Sequence, residues 1–147
     1  MTTQLKQTLY HTDFVAWAEQ TVELLRSRQL DRLDFENLIE EVEDLGKSQR
    51  QALYSNLRVL VMHLLKWQFQ PEKRTNSWRY TLREHRQRIE EILEDSPSLR
   101  NYALEIFEPC YVKARLLAAD ETDLPISTFP ETCPYTVAEI LNSDFLP

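Results

Sequence analysis

A single glycine, Gly46, serves a chain of 147 residues. Sheets and hairpins need glycines for turns with positive φ, and average usage is about 7%. A chain this poor in glycine has little means of making tight strand connections, so the sequence predicts an all-α fold. At this length one domain buries roughly two-thirds of the surface its unfolded chain exposes, enough for a core without disulfide or metal staples. A hydrophobic content of 42% beside 28% charged residues fits a packed globule.

Caps and periodicity place the helices. Thr12 or Asp13 can cap a first helix running to about Arg28, with Phe14, Trp17, Ala18, Thr21, Leu24 and Leu25 as an apolar stripe. Asp34 and Asn37 open a second helix, and Leu38, Val42, Leu45, Ala52, Leu53, Leu57, Leu60 and Leu64 carry it to about Gln70, before Pro71. Such a helix would be roughly 54 Å long. Gly46 is where it could kink, and Ser48 with Gln51 would cap a fresh start, but Glu43 and Lys47 at i,i+4 support continuity. Ser77 is the expected cap of a third helix that buries Trp78, Leu82, Ile89, Ile92 and Leu93, with His85 on the same stripe. Ser96 with Pro97 is expected to open a fourth, which should kink or split near Glu105 because Pro109 lies inside it.

The remaining segment, residues 120–135, holds three prolines and no periodicity. It reads as an extended strap, after which Thr136 and Glu139 form a capping box for a last short helix. The expectation is a single helical domain over 1–147 with an amino-terminal tail at 1–11. It would be a compact bundle of four main helices plus a short carboxyl-terminal one.

Charge narrows the partners. The net charge is -7, with seven acids against three bases in residues 31–50, six bases against two acids in 72–89, and twelve acids against three bases in 90–147. An acidic whole repels nucleic acid at long range, which weighs against that partner. No apolar run approaches the roughly 20 residues that cross a bilayer, and "MTTQLKQTLYHTD" lacks the apolar core of a signal peptide, so membrane association is not expected and cytoplasmic residence is. Cys110 and Cys133 stand apart rather than as CxxC and read as small apolar fillers.

Between Leu57 and Trp67 only Arg58, His63 and Lys66 are not apolar, which makes this segment the centre of the bundle. His63 and Trp67 share a face at i,i+4, and Lys66 is expected to snorkel past the rim with its stem over Trp78 or Phe69. Arg58 and His63 spell R-x4-H, the signature of the helical HEPN ribonucleases, although five residues set the two side chains about 140° apart on a helix. A metal site would combine His63 with Glu40, Glu43 and Asp44, but the Glu-x-x-His of di-metal bundles is absent, and no cofactor is expected. Glu36, Glu40, Glu43 and Asp44 read first as a solvated face near a helix start. Arg79, Arg83 and Arg86 form a basic stripe, expected to pair with Glu90 and the acidic last third, or else to hold phosphates or an acidic partner.

The amino-terminal half of a long second helix would have only the first helix for cover, and a lone helical pair buries little. Either the chain folds back at Gly46 or two chains share these ends. The functional expectation is therefore a binding or structural module, homodimeric, acting towards itself or another protein and not an enzyme. A ribonuclease using Arg58 and His63, or a metal-dependent hydrolase around His63, are the alternatives. The expected binding residues are Arg79, Arg83, Arg86, His63, Lys66, Trp67 and Trp78.

The strings "ENLIEEVEDLGKSQRQAL", "HLLKWQFQPEKRTNSW" and "FPETCPYTVAEILNSDFLP", in this order and separation, resemble the bacterial family catalogued as domain of unknown function 29, plentiful in cyanobacteria. The resemblance runs from about Tyr10 to Pro147. Positions matching the family pattern are Asp13, Glu41, Glu43, Leu45, Gly46, His63, Lys66, Trp67, Pro71, Trp78, Pro97, Cys133, Pro134 and Tyr135. The resemblance implies a compact all-helical fold with no established activity and hence no catalytic residue. It keeps a site near His63 in view and leaves Arg58 outside the pattern.

Overall fold

The computed structural model describes residues 9–147; of the tail expected at 1–11, residues 1–8 lie outside the described part, and residues 9–12 are helical. The fold is all-α, with no strand among the described residues. Helix α1 spans Phe14–Arg26, α2 Phe35–Phe69, α3 Asn76–Asp95, α4 Leu99–Thr122 and α5 Val137–Leu141, with single 3-10 turns at Leu30–Arg32, Pro71–Lys73 and Ile126–Thr128. These are the four main helices and the short last one that the periodicity predicts. The chain divides into two compact units, the first ending at Lys47 and the second covering Ser48–Pro147.

Local signals explain most boundaries. Asp13 caps α1 by accepting from the Ala16 amide at 3.0 Å. The helix closes in a Schellman motif, in which the amide of Gln29 donates to the Leu24 carbonyl and that of Arg28 to Leu25. Arg28 occupies the left-handed position there, at φ 61°. Asp34 accepts from the Asn37 amide at the head of α2, and α2 runs unbroken through Gly46 to Phe69, just before Pro71. Thr136 and Glu139 complete the capping box of α5.

The structure departs from expectation at four places, the first being the segment 120–135 expected to be extended: α4 runs on through Thr122, one more turn of backbone hydrogen bonding before Pro125, and Ile126–Thr128 form a 3-10 turn. Thr75, not Ser77, caps α3, accepting from the Trp78 amide. Ser96 closes α3 through its amide to the Ile92 carbonyl instead of opening α4, which begins at Leu99 behind an uncapped Ser98. Helix α4 is not split by Pro109. Proline removes the donor that the Glu105 carbonyl would receive, but Glu105 and Pro109 are both exposed, on the side of the helix where a carbonyl is open to solvent and its loss of a partner costs least.

In the first unit α1 runs antiparallel to the opening turns of α2. The Tyr10 hydroxyl donates to the Glu41 carboxylate at one end, and residues 27–34 link the helices at the other. Among the described residues, Trp17, Thr21 and Leu33 are the buried ones of this unit. Tyr10 also meets Trp17 edge-on, with ring centres 4.8 Å apart.

The second unit holds a much larger core, built around Leu53, Leu57, Leu60, Val61, Leu64 and Leu65 of α2, each 0 or 1% exposed. Helices α3 and α4 add Leu82, Ile89, Ala103, Cys110 and Ala114, and the carboxyl-terminal segment adds Phe129, Tyr135 and Ile140. That segment is held by hydrogen bonds as well as by packing. Arg115 donates to the Phe129 and Ile126 carbonyls, Tyr111 to that of Pro130, and Tyr135 to that of Leu64 at 3.2 Å.

Candidate functional site

The second half of α2 carries the ionisable residues that the sequence singles out. Lys66 is buried at 8% exposure, so it does not snorkel. Its Nζ lies 4.8 Å from the Trp78 ring centre and 3.8 Å from Glu121 Oε1, two partners that compensate the charge inside the fold. Trp67, one turn after His63, is 4% exposed and lies under the guanidinium groups of Arg74, at 4.8 Å, and Arg79, at 5.4 Å. Arg74 Nε also donates to the Trp67 carbonyl at 2.8 Å, satisfying one of the last open acceptors of α2. Trp78 is half-buried.

His63 is half-buried, and its Nδ1 finds no partner. Burial, then the charge of Lys66 and of His85, pulls its pKa down from 6.5 to about 4 against the opposing pull of Glu121. The imidazole is therefore neutral at neutral pH. Arg58, half-buried, stacks near the Tyr54 ring and leaves its Nε unpartnered. His85 pairs instead with Asn56, Nδ1 to Oδ1 at 2.9 Å.

The basic stripe on α3 is divided by its surroundings. Arg79 and Arg83 are exposed, whereas Arg86 is buried at 6% exposure. Arg86 does not pair with an acid: its Nε donates to the Ile140 carbonyl at 2.8 Å, its Nη2 to Phe145 at 2.7 Å, and its Nη1 reaches Ser143 at 3.5 Å. One planar fork thus gathers three carbonyls from the end of α5 and the tail beyond it, a geometry that lysine cannot reproduce. Burial lowers its pKa. Arg79, Arg83 and Arg86 line a cleft of about 510 Å³ that Glu90 and Asp144 share. The expected ion pairs with Glu90 do not form.

The acids Glu36, Glu40, Glu43 and Asp44 are exposed in the first unit, and His63 belongs to the second. Among the described residues no group of three or more His, Cys, Asp or Glu side chains is placed to hold a metal ion.

What the spacing of the expected stripes does not reveal is the large bare apolar face of the first unit. Phe14, Val15, Val22 and Leu25 of α1 are exposed, and so are Phe35, Ile39, Val42 and Leu45 of α2. On both helices these residues include the ones that follow an inward-facing neighbour: Val22 and Leu25 follow Thr21 and Leu24, and Ile39 and Val42 follow Leu38 and Glu41. One residue is about 100° of turn. Because the helices are antiparallel, the same step carries both stripes to the same side of the pair. The four-, three- and four-residue spacing of Phe35, Ile39, Val42 and Gly46 was the readable signal, and the expected stripe omitted Phe35 and Ile39.

No helix among the described residues is long and apolar enough to cross a membrane. No curated protein and no solved structure matches the chain. A family model described as domain of unknown function DUF29 matches residues 9–146. On that near-complete match, the chain belongs to the DUF29 family.

Proposed function

We propose that the protein is a protein–protein association module that works as a homodimer, with the apolar face of the first unit closed by a second copy. The observation that carries this reading is the exposure of Phe35, Ile39 and Val42 at 52, 55 and 59% beside the exposed stripe of α1. The exposed apolar side chains of α1 and α2 named above together present on the order of 800 Å², similar to the roughly 800 Å² per partner in a standard interface. Acids flank it, notably Glu19 and Glu23 on α1 and Glu36, Glu40 and Glu43 on α2. Rim charges of that kind are each worth about 0 to 1 kcal/mol, so they weaken the association without preventing it.

The test replaces Ile39 or Val42 by glutamate and measures mass by light scattering at micromolar concentration. Wild type should be dimeric and both variants monomeric, with helical content unchanged. Unaltered mass in both variants would refute the face as the interface.

A ribonuclease reading has one observation in its favour: Arg58 Nε and His63 Nδ1 are the buried side-chain polar atoms left without a partner among the described residues. A neutral imidazole can accept a proton and a guanidinium can hold a phosphate. Cleavage of single-stranded RNA by wild type, lost in folded Arg58→Ala and His63→Ala variants, would establish it; no cleavage by wild type would dismiss it.

A further inference from the structure

We infer that the two copies pair their α2 helices antiparallel about a two-fold axis between Glu40 and Glu41, seating Phe35 of each copy in the space above Gly46 of the other. The inference rests on the homodimer reading above and specifies its geometry.

Gly46 supplies nothing to its own chain. The positive-φ positions among the described residues, Arg28 at 61° and Asp123 at 58°, are filled by residues with side chains, and no glycine has positive φ. The glycine stands instead inside α2, where it costs about 1 kcal/mol relative to alanine. Close packing within the chain does not demand it either, because a Cβ built there meets nothing within 4 Å. Gly46 therefore leaves a recess, one side chain deep, in an otherwise apolar exposed stripe.

The bare stripe says what fills it. Phe35, Ile39, Val42 and Gly46 follow one another at spacings of four, three and four, so they share one side of α2. A spacing that reads the same in both directions is self-complementary under a two-fold axis. Antiparallel pairing about its midpoint sets Phe35 against the second copy's Gly46 and Ile39 against the second copy's Val42. Large then meets small at both ends, as interdigitating layers require.

The experiment is a size swap in the full chain, read by sedimentation equilibrium. Gly46→Leu should weaken dimerisation about tenfold or more by filling the socket, although leucine favours the helix itself. Phe35→Ala should weaken it comparably by emptying the socket. The double variant Phe35→Ala/Gly46→Leu should recover affinity to within a few-fold of wild type. A wild-type dimer that Gly46→Leu leaves unchanged, or a double variant no tighter than either single one, would overturn this register while leaving the homodimer standing. A monomeric wild type would end both.

Discussion

Arg86 Nη2 donates to the carbonyl oxygen of Phe145 at 2.7 Å, joining the middle of α3 to the last residues of the chain. With its bonds to Ile140 and Ser143, this buried guanidinium is the main polar tie on the tail. Arg86→Met keeps the apolar stem but orphans these carbonyls, and should cost about 2–4 kcal/mol in chemical denaturation. Arg86→Lys should recover little of that loss. Amide exchange in residues 136–147 should rise in both variants, and unchanged protection there would show that packing alone holds the tail.

Lys66 and Glu121 offer a second test. Their separation of 3.8 Å, with Lys66 buried and Glu121 half open to water, predicts a coupling of about 1 kcal/mol in a double-mutant cycle of Lys66→Met and Glu121→Gln. A coupling near zero would assign the lysine's compensation to the Trp78 ring instead.

Stability should fall on mild acidification. His63 has a pKa of about 4 in the fold and 6.5 when unfolded, so between these values the unfolded chain binds a proton that the folded chain refuses. Stability is therefore full above about pH 6.5 and declines towards pH 4, by up to about 3 kcal/mol for a fully shielded group and by about 1–2 kcal/mol once solvent screening of this half-buried ring is allowed for. Lys66, His85 and Glu121 act on the imidazole, and the first two share the sense of the burial effect. Urea midpoints of His63→Gln should depend less steeply on pH over this window than those of wild type, and equal slopes would contradict the assignment.

The two thiols should separate under labelling. Burial pushes Cys110 up to about 12 and leaves it without exposed surface, whereas Cys133 is half-buried, its pKa also raised by burial. A maleimide at pH 8 should modify Cys133 slowly and Cys110 only after denaturant is added. Equal rates at both sites would mean that α4 opens readily.

Local chemistry made much of the fold readable. Asp13, Pro71 and the Thr136–Glu139 box each act within one helical turn, so their consequences stand in the sequence beside them. Thr75 and Ser77 could both cap α3, and nothing between them distinguishes the two until Trp78 must be half-buried. Arg86 looked like the third member of a stripe with Arg79 and Arg83, because spacing records a shared helix face but not a carbonyl 54 residues away. Lys66 was misread for the same reason: its compensating groups, Trp78 and Glu121, lie on α3 and α4. The bare face of the first unit is the sharpest case, since the spacing of Phe35, Ile39 and Val42 shows that they share one side of α2 without showing that this side is exposed.

The most direct measurement is sedimentation equilibrium of the full chain across concentration, at low and high salt. A monomer–dimer equilibrium should reach twice the 17.5 kDa chain mass at micromolar concentration, tightening as salt screens the acids that flank the apolar stripe of α2, Glu36 and Glu43. A single species at 17.5 kDa under all conditions would contradict it.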